Sequence, residues 1–151
     1  MRKLNFKCFL GLITVFLTVL PVWCDAAFSC SEPDDSNYHS SALTTIISNM
    51  GLTPDQATRL YTASGYPGNI SCAYRWLLYQ QNQIESALSA MNSTNLSTIA
   101  PVTMALFTPL LNVAGIDQST CGTIVYLKNS LSLTVCNNYI LFTDQVSKLS
   151  A

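Results

Sequence analysis

Six cysteines and one histidine, His39, are the residues of this chain best suited to bind a metal or to act as a nucleophile. No two cysteines stand in a Cys-x-x-Cys arrangement, so a zinc half-site and a redox-active pair both lack their usual motif. His39 follows three acids, Glu32, Asp34 and Asp35, but neither the glycine nor the closing glutamate of a calcium loop is present. We therefore predict no metal site, and we interpret the acidic stretch as a solvated tail.

The sequence also lacks the patterns that organise catalytic groups. A nucleophile needs a neighbouring base and an orienting third group, and neither a Gly-x-Ser-x-Gly elbow nor a glycine-rich phosphate loop is present. The acids are scattered, so no pair of carboxylates for glycoside cleavage can be assigned. We predict that the protein is not an enzyme and that it needs no cofactor.

The N-terminal stretch predicts a cleaved secretory signal peptide over residues 1–26. Basic residues precede an apolar run over residues 9–20, after which Pro21 and small residues follow. The run is shorter than the roughly 20 residues that a spanning helix needs, which disfavours a membrane anchor. Every acceptable cleavage position removes Cys24 as well as Cys8. The sequence thus predicts a secreted, extracellular protein.

Four cysteines remain after cleavage: Cys30, Cys72, Cys121 and Cys136. In an oxidising compartment they predict two structural disulfides, for which three pairings are possible. Cys121 and Cys136 fall on consecutive predicted helices, and antiparallel packing would bring them to about the same level. This geometry favours Cys121–Cys136 together with Cys30–Cys72, which would tie the tail over residues 27–36 to the domain. The other two pairings stay open.

The predicted mature chain, residues 27–151, has the size of one ordinary domain. Four basic residues stand against seven acidic ones, a net charge of −3, so no basic patch exists for nucleic acid or for an anionic membrane surface. Three Asn-x-Ser/Thr acceptor sites, at Asn69, Asn92 and Asn95, predict a glycoprotein. Asn92 and Asn95 are three residues apart, so crowding could limit occupancy to one of them. We predict no nucleic-acid partner and no stable membrane span once the signal is removed.

Apolar residues recur at helical spacing almost throughout, which predicts an all-α fold, a small disulfide-stapled bundle of five or six helices. Thr53 and Gln56 form a capping box with Pro54 at the first helical position, and Gly65 ends that helix. The predicted helices cover residues 37–50, 53–65, 71–92, 101–115, 117–129 and 132–149.

Two of these predicted helices need comment. The helix over 101–115 is apolar on nearly every face, as expected for a central element, and Pro109 is expected to bend or break it. A strand over 122–127 is the main alternative to the helix over 117–129, because its residues are β-branched and aromatic.

Two groups of residues suggest binding functions of different classes. Tyr61, Tyr66, Arg75 and Tyr79 crowd the second and third helices, and because Tyr and Arg dominate protein interfaces they predict a surface for an extracellular protein partner. A second group could instead line a pocket for a small apolar, lipid-like ligand beside the helix over 101–114. That group consists of Met104, Leu106, Phe107, Leu110 and Leu111. The structural alternatives are an ordinary core rim in the first case and a filled core in the second.

Overall fold

The computed structural model describes residues 28–123 and 129–151, and every regular element within them is a helix. Five α-helices follow one another, with a 3₁₀ turn before the first and another before the last. They are α1 (Ser40–Asn49), α2 (Pro54–Ser64), α3 (Ile70–Ala90), α4 (Leu96–Ala114) and α5 (Ser130–Ser150). The predicted all-α class with five helices is therefore confirmed. The predicted signal peptide over residues 1–26 lies outside the described residues.

The boundaries around α1 and α2 follow local signals in the sequence. Thr53 Oγ1 accepts a hydrogen bond from Gln56 N (3.2 Å), and Gln56 Oε1 accepts one from Thr53 N (3.0 Å), which confirms the predicted capping box. Gly51 and Gly65 adopt φ angles of 74° and 77°, the left-handed conformation in which helices commonly end. α1 begins at Ser40, three residues later than predicted.

α4 is longer than predicted, because it begins at Leu96. Pro101 and Pro109 both lie inside α4, and the helix continues through both. Proline cannot donate the backbone bond to the fourth preceding carbonyl, which here belongs to Ser97 and to Ala105. Both residues are exposed, so water can bind the two carbonyls and the helix loses no buried hydrogen bond.

Among the described residues, α4 is the one helix long and apolar enough to cross a membrane, with 19 residues and a mean hydropathy of 1.5. In the folded protein α4 packs against α2, α3 and α5 and is the central helix of the bundle. Its exposed positions are small or polar residues: Ser97, Pro101, Ala105, Thr108 and Asn112. α4 therefore has the pattern of a core helix with one exposed side.

The segment after α4 differs from the predicted helix over 117–129. Its described part forms only a 3₁₀ turn, Thr120–Gly122. Residues 124–128, which include most of the alternative strand, lie outside the described residues.

Asp117 bonds the start of this turn as a helix cap does. Its Oδ1 atom accepts hydrogen bonds from Thr120 Oγ1 (2.5 Å), Ser119 Oγ (2.7 Å) and Thr120 N (2.7 Å), and these bonds lower the pKa of Asp117 to about 2. The bond to Thr120 N pairs an N–H group that the first turn of a helix leaves without a partner, but the turn ends at Gly122.

Two disulfides tie the ends of the fold to the bundle. Cys30 is joined to Cys72 across a Cα–Cα distance of 5.5 Å, and Cys121 to Cys136 across 5.0 Å. This is the pairing that the spacing favoured. The first bond holds the N-terminal tail on the first turn of α3, and the second holds the 3₁₀ turn on α5.

Gln56 connects three helix ends with one buried side chain, which is only 4% exposed. Besides closing the capping box of α2, its Nε2 donates to Ala114 O at the end of α4 (3.0 Å) and to Ser132 Oγ at the start of α5 (3.2 Å). Its Oε1 also accepts a bond from Asn129 Nδ2, and Asn129 in turn caps α5 by accepting from Ser132 N (3.0 Å). One amide thus pairs backbone groups at the start of α2 and at the end of α4, and at the start of α5 it binds the side chains of Ser132 and Asn129.

We expect Gln56→Ala to lower the free energy of unfolding by about 3 kcal/mol, because it removes the cap and leaves buried polar groups without partners. Urea denaturation of the oxidised protein measures this loss. Gln81→Ala, at a half-exposed position of α3 with no side-chain hydrogen bond among the described residues, is the control and should change stability little. Equal effects of the two substitutions would contradict the role assigned to Gln56.

Candidate binding surface

The four residues predicted to bind a partner all contact the chain's own N-terminal tail. Tyr61 donates a hydrogen bond from its hydroxyl to Asp35 Oδ2, and Arg75 Nη2 forms an ion pair with Glu32 Oε1 (2.7 Å). The ring of Phe28 packs against Tyr66 (centroids 5.7 Å apart) and against Tyr79 (5.6 Å). These four residues therefore share the tail as a neighbour, and the tail covers part of the surface that was predicted.

Asp35 holds the tail at the N-terminus of α3. Its carboxylate oxygens accept from Ile70 N at 3.0 and 3.2 Å, and its own N–H donates to Gly68 O (2.7 Å). A negative charge is favourable at this end of a helix, where backbone N–H groups lack partners within the helix. The interaction fixes the position of the tail at the first turn of α3.

The Tyr61 hydroxyl is kept protonated by its surroundings. Burial raises its pKa most, and the hydrogen bond to Asp35 and the negative charge of that residue raise it further. A tyrosinate at this place would lose its bond to the carboxylate and repel it. Tyr61 is thus an anchor for the tail and is only partly accessible to a partner.

Asn69 completes the attachment of the tail. Its Oδ1 accepts from Cys72 N (3.0 Å), which caps α3, while its Nδ2 donates to Glu32 O (2.8 Å). The disulfide between Cys30 and Cys72 lies beside this pair of hydrogen bonds. One covalent bond and several polar contacts together hold the tail on the start of α3.

Part of the surface stays open to solvent. The Arg75 side chain is 60% exposed in spite of its ion pair, and Leu78, one helical turn further on, is 42% exposed. Tyr79 is half-buried under Phe28. We call Phe28, Arg75, Leu78 and Tyr79 the α3 patch.

Leu78 escaped the sequence prediction, although its signal was present. It follows Leu77, a core residue, and successive residues of a helix point about 100° apart. Leu78 therefore lies off the apolar face of α3. A leucine at such a position is a large apolar side chain without a core to enter.

The residues predicted to line an apolar pocket are not brought together around a cavity. Phe107, Leu110 and Leu111 are buried in the core, where the Phe107 ring packs against Tyr139 (5.4 Å) and Phe142 (5.5 Å). Leu106 and Met104 are half-buried. The reason is that α4 packs against α2, α3 and α5, and these helices fill the space around the buried residues.

An open groove of about 530 Å³ lies at the C-terminal end of α4. It contains two of the predicted pocket residues, Met104 and Leu111, together with polar side chains. The full lining is Met104, Thr108, Leu111, Asn112, Ile116, Asp117, Gln118 and Ser119.

The acids around His39 are engaged elsewhere. Glu32 pairs with Arg75, Asp35 binds the start of α3, and His39 is exposed. Within residues 28–123 and 129–151, no group of three or more His, Cys, Asp or Glu residues is placed to hold a metal ion.

The three glycosylation acceptors differ in exposure. Asn92 is exposed, Asn95 is half-buried and Asn69 is buried.

Comparison with known proteins adds no assignment, since the chain matches no protein-family model, no curated protein and no solved structure.

We expect Tyr61→Phe to lower the free energy of unfolding by about 1 kcal/mol at neutral pH, because a partly buried hydrogen bond is lost. A folded-state pKa above the unfolded value of about 10 means that the hydroxyl stabilises the fold below that pH and loses its effect as pH rises further. The difference between wild type and variant should therefore shrink above pH about 10. Urea denaturation across this range tests it.

Tyr74→Phe is the control for this pH series, because the Tyr74 hydroxyl makes no hydrogen bond among the described residues. A Tyr61→Phe difference that stayed constant through the alkaline range would show that Tyr61 is not held in its protonated form.

We expect Phe107→Ala to lower the free energy of unfolding by about 4 kcal/mol, because it leaves a cavity in a filled core. Leu106→Ala, at a half-buried position one residue away, should cost less than about 2 kcal/mol. Thermal or urea unfolding of both variants measures the two losses of stability. If Phe107→Ala lowered the free energy of unfolding as little as Leu106→Ala does, the result would favour a loosely packed pocket and contradict a packed core.

Proposed function

We propose that the protein is a secreted, N-glycosylated interaction protein without enzymatic activity. In this proposal it binds an extracellular protein partner through the α3 patch, which consists of Phe28, Arg75, Leu78 and Tyr79. The observation that carries the proposal is the 42% exposure of Leu78 beside the exposed guanidinium of Arg75.

The composition of the α3 patch resembles that of an energetic centre of a protein interface. Aromatic residues and arginine contribute most to such centres, and a neighbouring apolar side chain gains from exclusion of water. The ion pair with Glu32 uses one nitrogen of Arg75, and a guanidinium has five N–H donors. The patch therefore suits a partner with an apolar side chain for Leu78 and a carbonyl or carboxylate oxygen for Arg75.

The tail contributes to this surface by making it rigid. The disulfide at Cys30 and the contacts of Asp35 fix the tail, and the tail positions Phe28 against Tyr79 and Glu32 against Arg75. A surface already ordered before binding loses less conformational entropy when a partner docks. The two disulfides also favour an oxidising compartment, in agreement with the proposed secretion.

A carrier of a small apolar ligand is the second candidate function. It is supported by the groove of about 530 Å³ in which Met104, Leu111 and Ile116 lie. The groove is open to solvent and also lined by polar groups, whereas sites for apolar ligands enclose most of the ligand surface. The carrier therefore ranks below the interaction protein.

The α3 patch can be tested against a panel of purified, immobilised extracellular receptor domains. We expect wild type to bind at least one domain and Leu78→Asp to weaken that binding at least tenfold, because the aspartate places a charge where water must be excluded. Leu141→Asp, at a leucine of α5 that is 58% exposed, is the matched control and should leave the affinity within twofold of wild type.

Circular dichroism should show both variants folded, since both leucines are exposed. If Leu78→Asp still bound the domain, or if only Leu141→Asp lost binding, the interface would lie elsewhere than on α3. A panel to which wild type does not bind would contradict the proposal for the receptor classes it contains.

A further inference from the structure

The three glycosylation acceptors differ in what their amide nitrogens do. An N-linked glycan is attached to the asparagine side-chain nitrogen, Nδ2, and its bulk requires an exposed position. An Nδ2 that carries a sugar keeps one hydrogen, so burial of the acceptor and the space around its Nδ2 in the folded chain discriminate between acceptors that look alike in sequence.

Asn69 is a structural residue of the tail attachment. It is 7% exposed, its Oδ1 caps α3 at Cys72 N, and its Nδ2 donates to Glu32 O at 2.8 Å. A sugar on this nitrogen would have to occupy the space between α3 and the tail. The native tail contacts exclude it.

Asn95 is engaged in a similar way at the other end of α3. Its Nδ2 donates to Ala90 O (2.9 Å), one of the last carbonyls of the helix, and its Oδ1 accepts from Asn92 N (2.7 Å). Carbonyls at a helix C-terminus have no partner within the helix, so this bond has a structural role. Asn95 is half-buried with its Nδ2 against the end of α3, so a sugar on this nitrogen has less room than one on the exposed Asn92.

Asn92 is free to carry a glycan. It is exposed in the turn between α3 and α4, and only its Oδ1 is engaged, accepting from Thr94 N (2.9 Å) and Asn95 N (3.0 Å). Its Nδ2 donates no hydrogen bond within the described part of the chain. We infer that the folded, secreted protein carries a single N-linked glycan and that Asn92 bears it. This inference rests on the secretion included in the proposed function.

The position of Asn92 is compatible with the α3 patch. From Leu78 to the end of α3 at Ala90 are twelve residues, which span roughly 18 Å along the helix axis. The exposed side of α3 next to the turn is polar, with Asn82, Glu85 and Ser89 in a shallow groove. A glycan on Asn92 would extend from the end of α3 that is remote from Arg75 and Leu78.

Three substitutions remove one acceptor each while keeping its asparagine. Thr94→Ala, Ser97→Ala and Ser71→Ala eliminate the hydroxyl residues that follow Asn92, Asn95 and Asn69 respectively. The full chain is expressed in a secreting eukaryotic host, and the intact mass of the secreted protein is measured before and after enzymatic removal of N-glycans. We expect one glycan on wild type, Ser97→Ala and Ser71→Ala, and none on Thr94→Ala.

Substitution of the asparagines themselves separates structure from modification. Asn69→Gln and Asn95→Gln should keep the glycan and lower the melting temperature by about 3 °C or more, because each loses helix-end hydrogen bonds. Asn92→Gln should lose the glycan.

A glycan that persists on Thr94→Ala, or disappears with Ser97→Ala or Ser71→Ala, overturns the assignment to Asn92. Secreted wild-type protein without any glycan overturns it as well and leaves secretion and the α3 patch standing. A chain that stays in the cytosol with residues 1–26 attached overturns the secretion on which both rest. Loss of partner binding by Thr94→Ala would contradict only the separation of glycan and patch.

Discussion

The fold depends on how the buried ends of its helices are satisfied, and Gln56 is the residue on which three of them converge. A helix leaves backbone groups unpaired at each end, and here the start of α2, the end of α4 and the start of α5 meet where little water can reach them. The Gln56 amide pairs a backbone group at the first two of these ends, and at the third it binds Asn129, the side chain that caps α5. Arg59 adds a second bond at the end of α4, where its Nε donates to Val113 O at 3.1 Å, and its positive charge suits that end of the helix. A chain with few charged residues is thus held together mainly by neutral hydrogen bonds and a packed core.

The few charged residues of the chain also account for how the tail is attached. The one ion pair among the described residues joins Arg75 to Glu32, so it links the tail to α3 at the edge of the α3 patch. The Asp35 carboxylate lies at the N-terminus of α3, where it accepts a hydrogen bond from a backbone N–H that has no partner within the helix. The tail covers part of Tyr61, Tyr66 and Tyr79, and it orders the part of this surface that stays exposed to solvent. The tail is consequently an integral part of the domain surface.

Features set by neighbouring residues were predictable from the sequence, whereas among the distant contacts described here only the disulfide pairing was favoured in advance. The capping box at Thr53 and the end of α2 at Gly65 involve residues a few positions apart, and the structure contains both. The bond of the tail to α2 spans 26 residues between Asp35 and Tyr61, and the second role of Gln56 spans 58 residues to Ala114. The sequence suggested that Tyr61 and Tyr79 belong to one surface, but it could not show that the chain's own tail covers part of that surface. In the described part of the segment after α4, only one turn of the predicted helix forms, although Asp117 accepts from Thr120 N as a helix cap does.

The arrangement has a consequence for the kind of partner that can use Arg75. In the free protein Glu32 already supplies a carboxylate at 2.7 Å, so a second carboxylate would have to share the guanidinium or displace Glu32. Sharing is possible because the arginine side chain is 60% exposed, and an exposed ion pair contributes little to stability by itself. Removing Glu32 from the guanidinium would therefore cost the fold little, since Asp35, Asn69 and the disulfide at Cys30 would still hold the tail. Arg75 can change its polar partner without loss of the tail, whereas Leu78 has no such alternative contact. In the proposed interaction, Arg75 would select the polar group of the partner and Leu78 would supply the gain from exclusion of water.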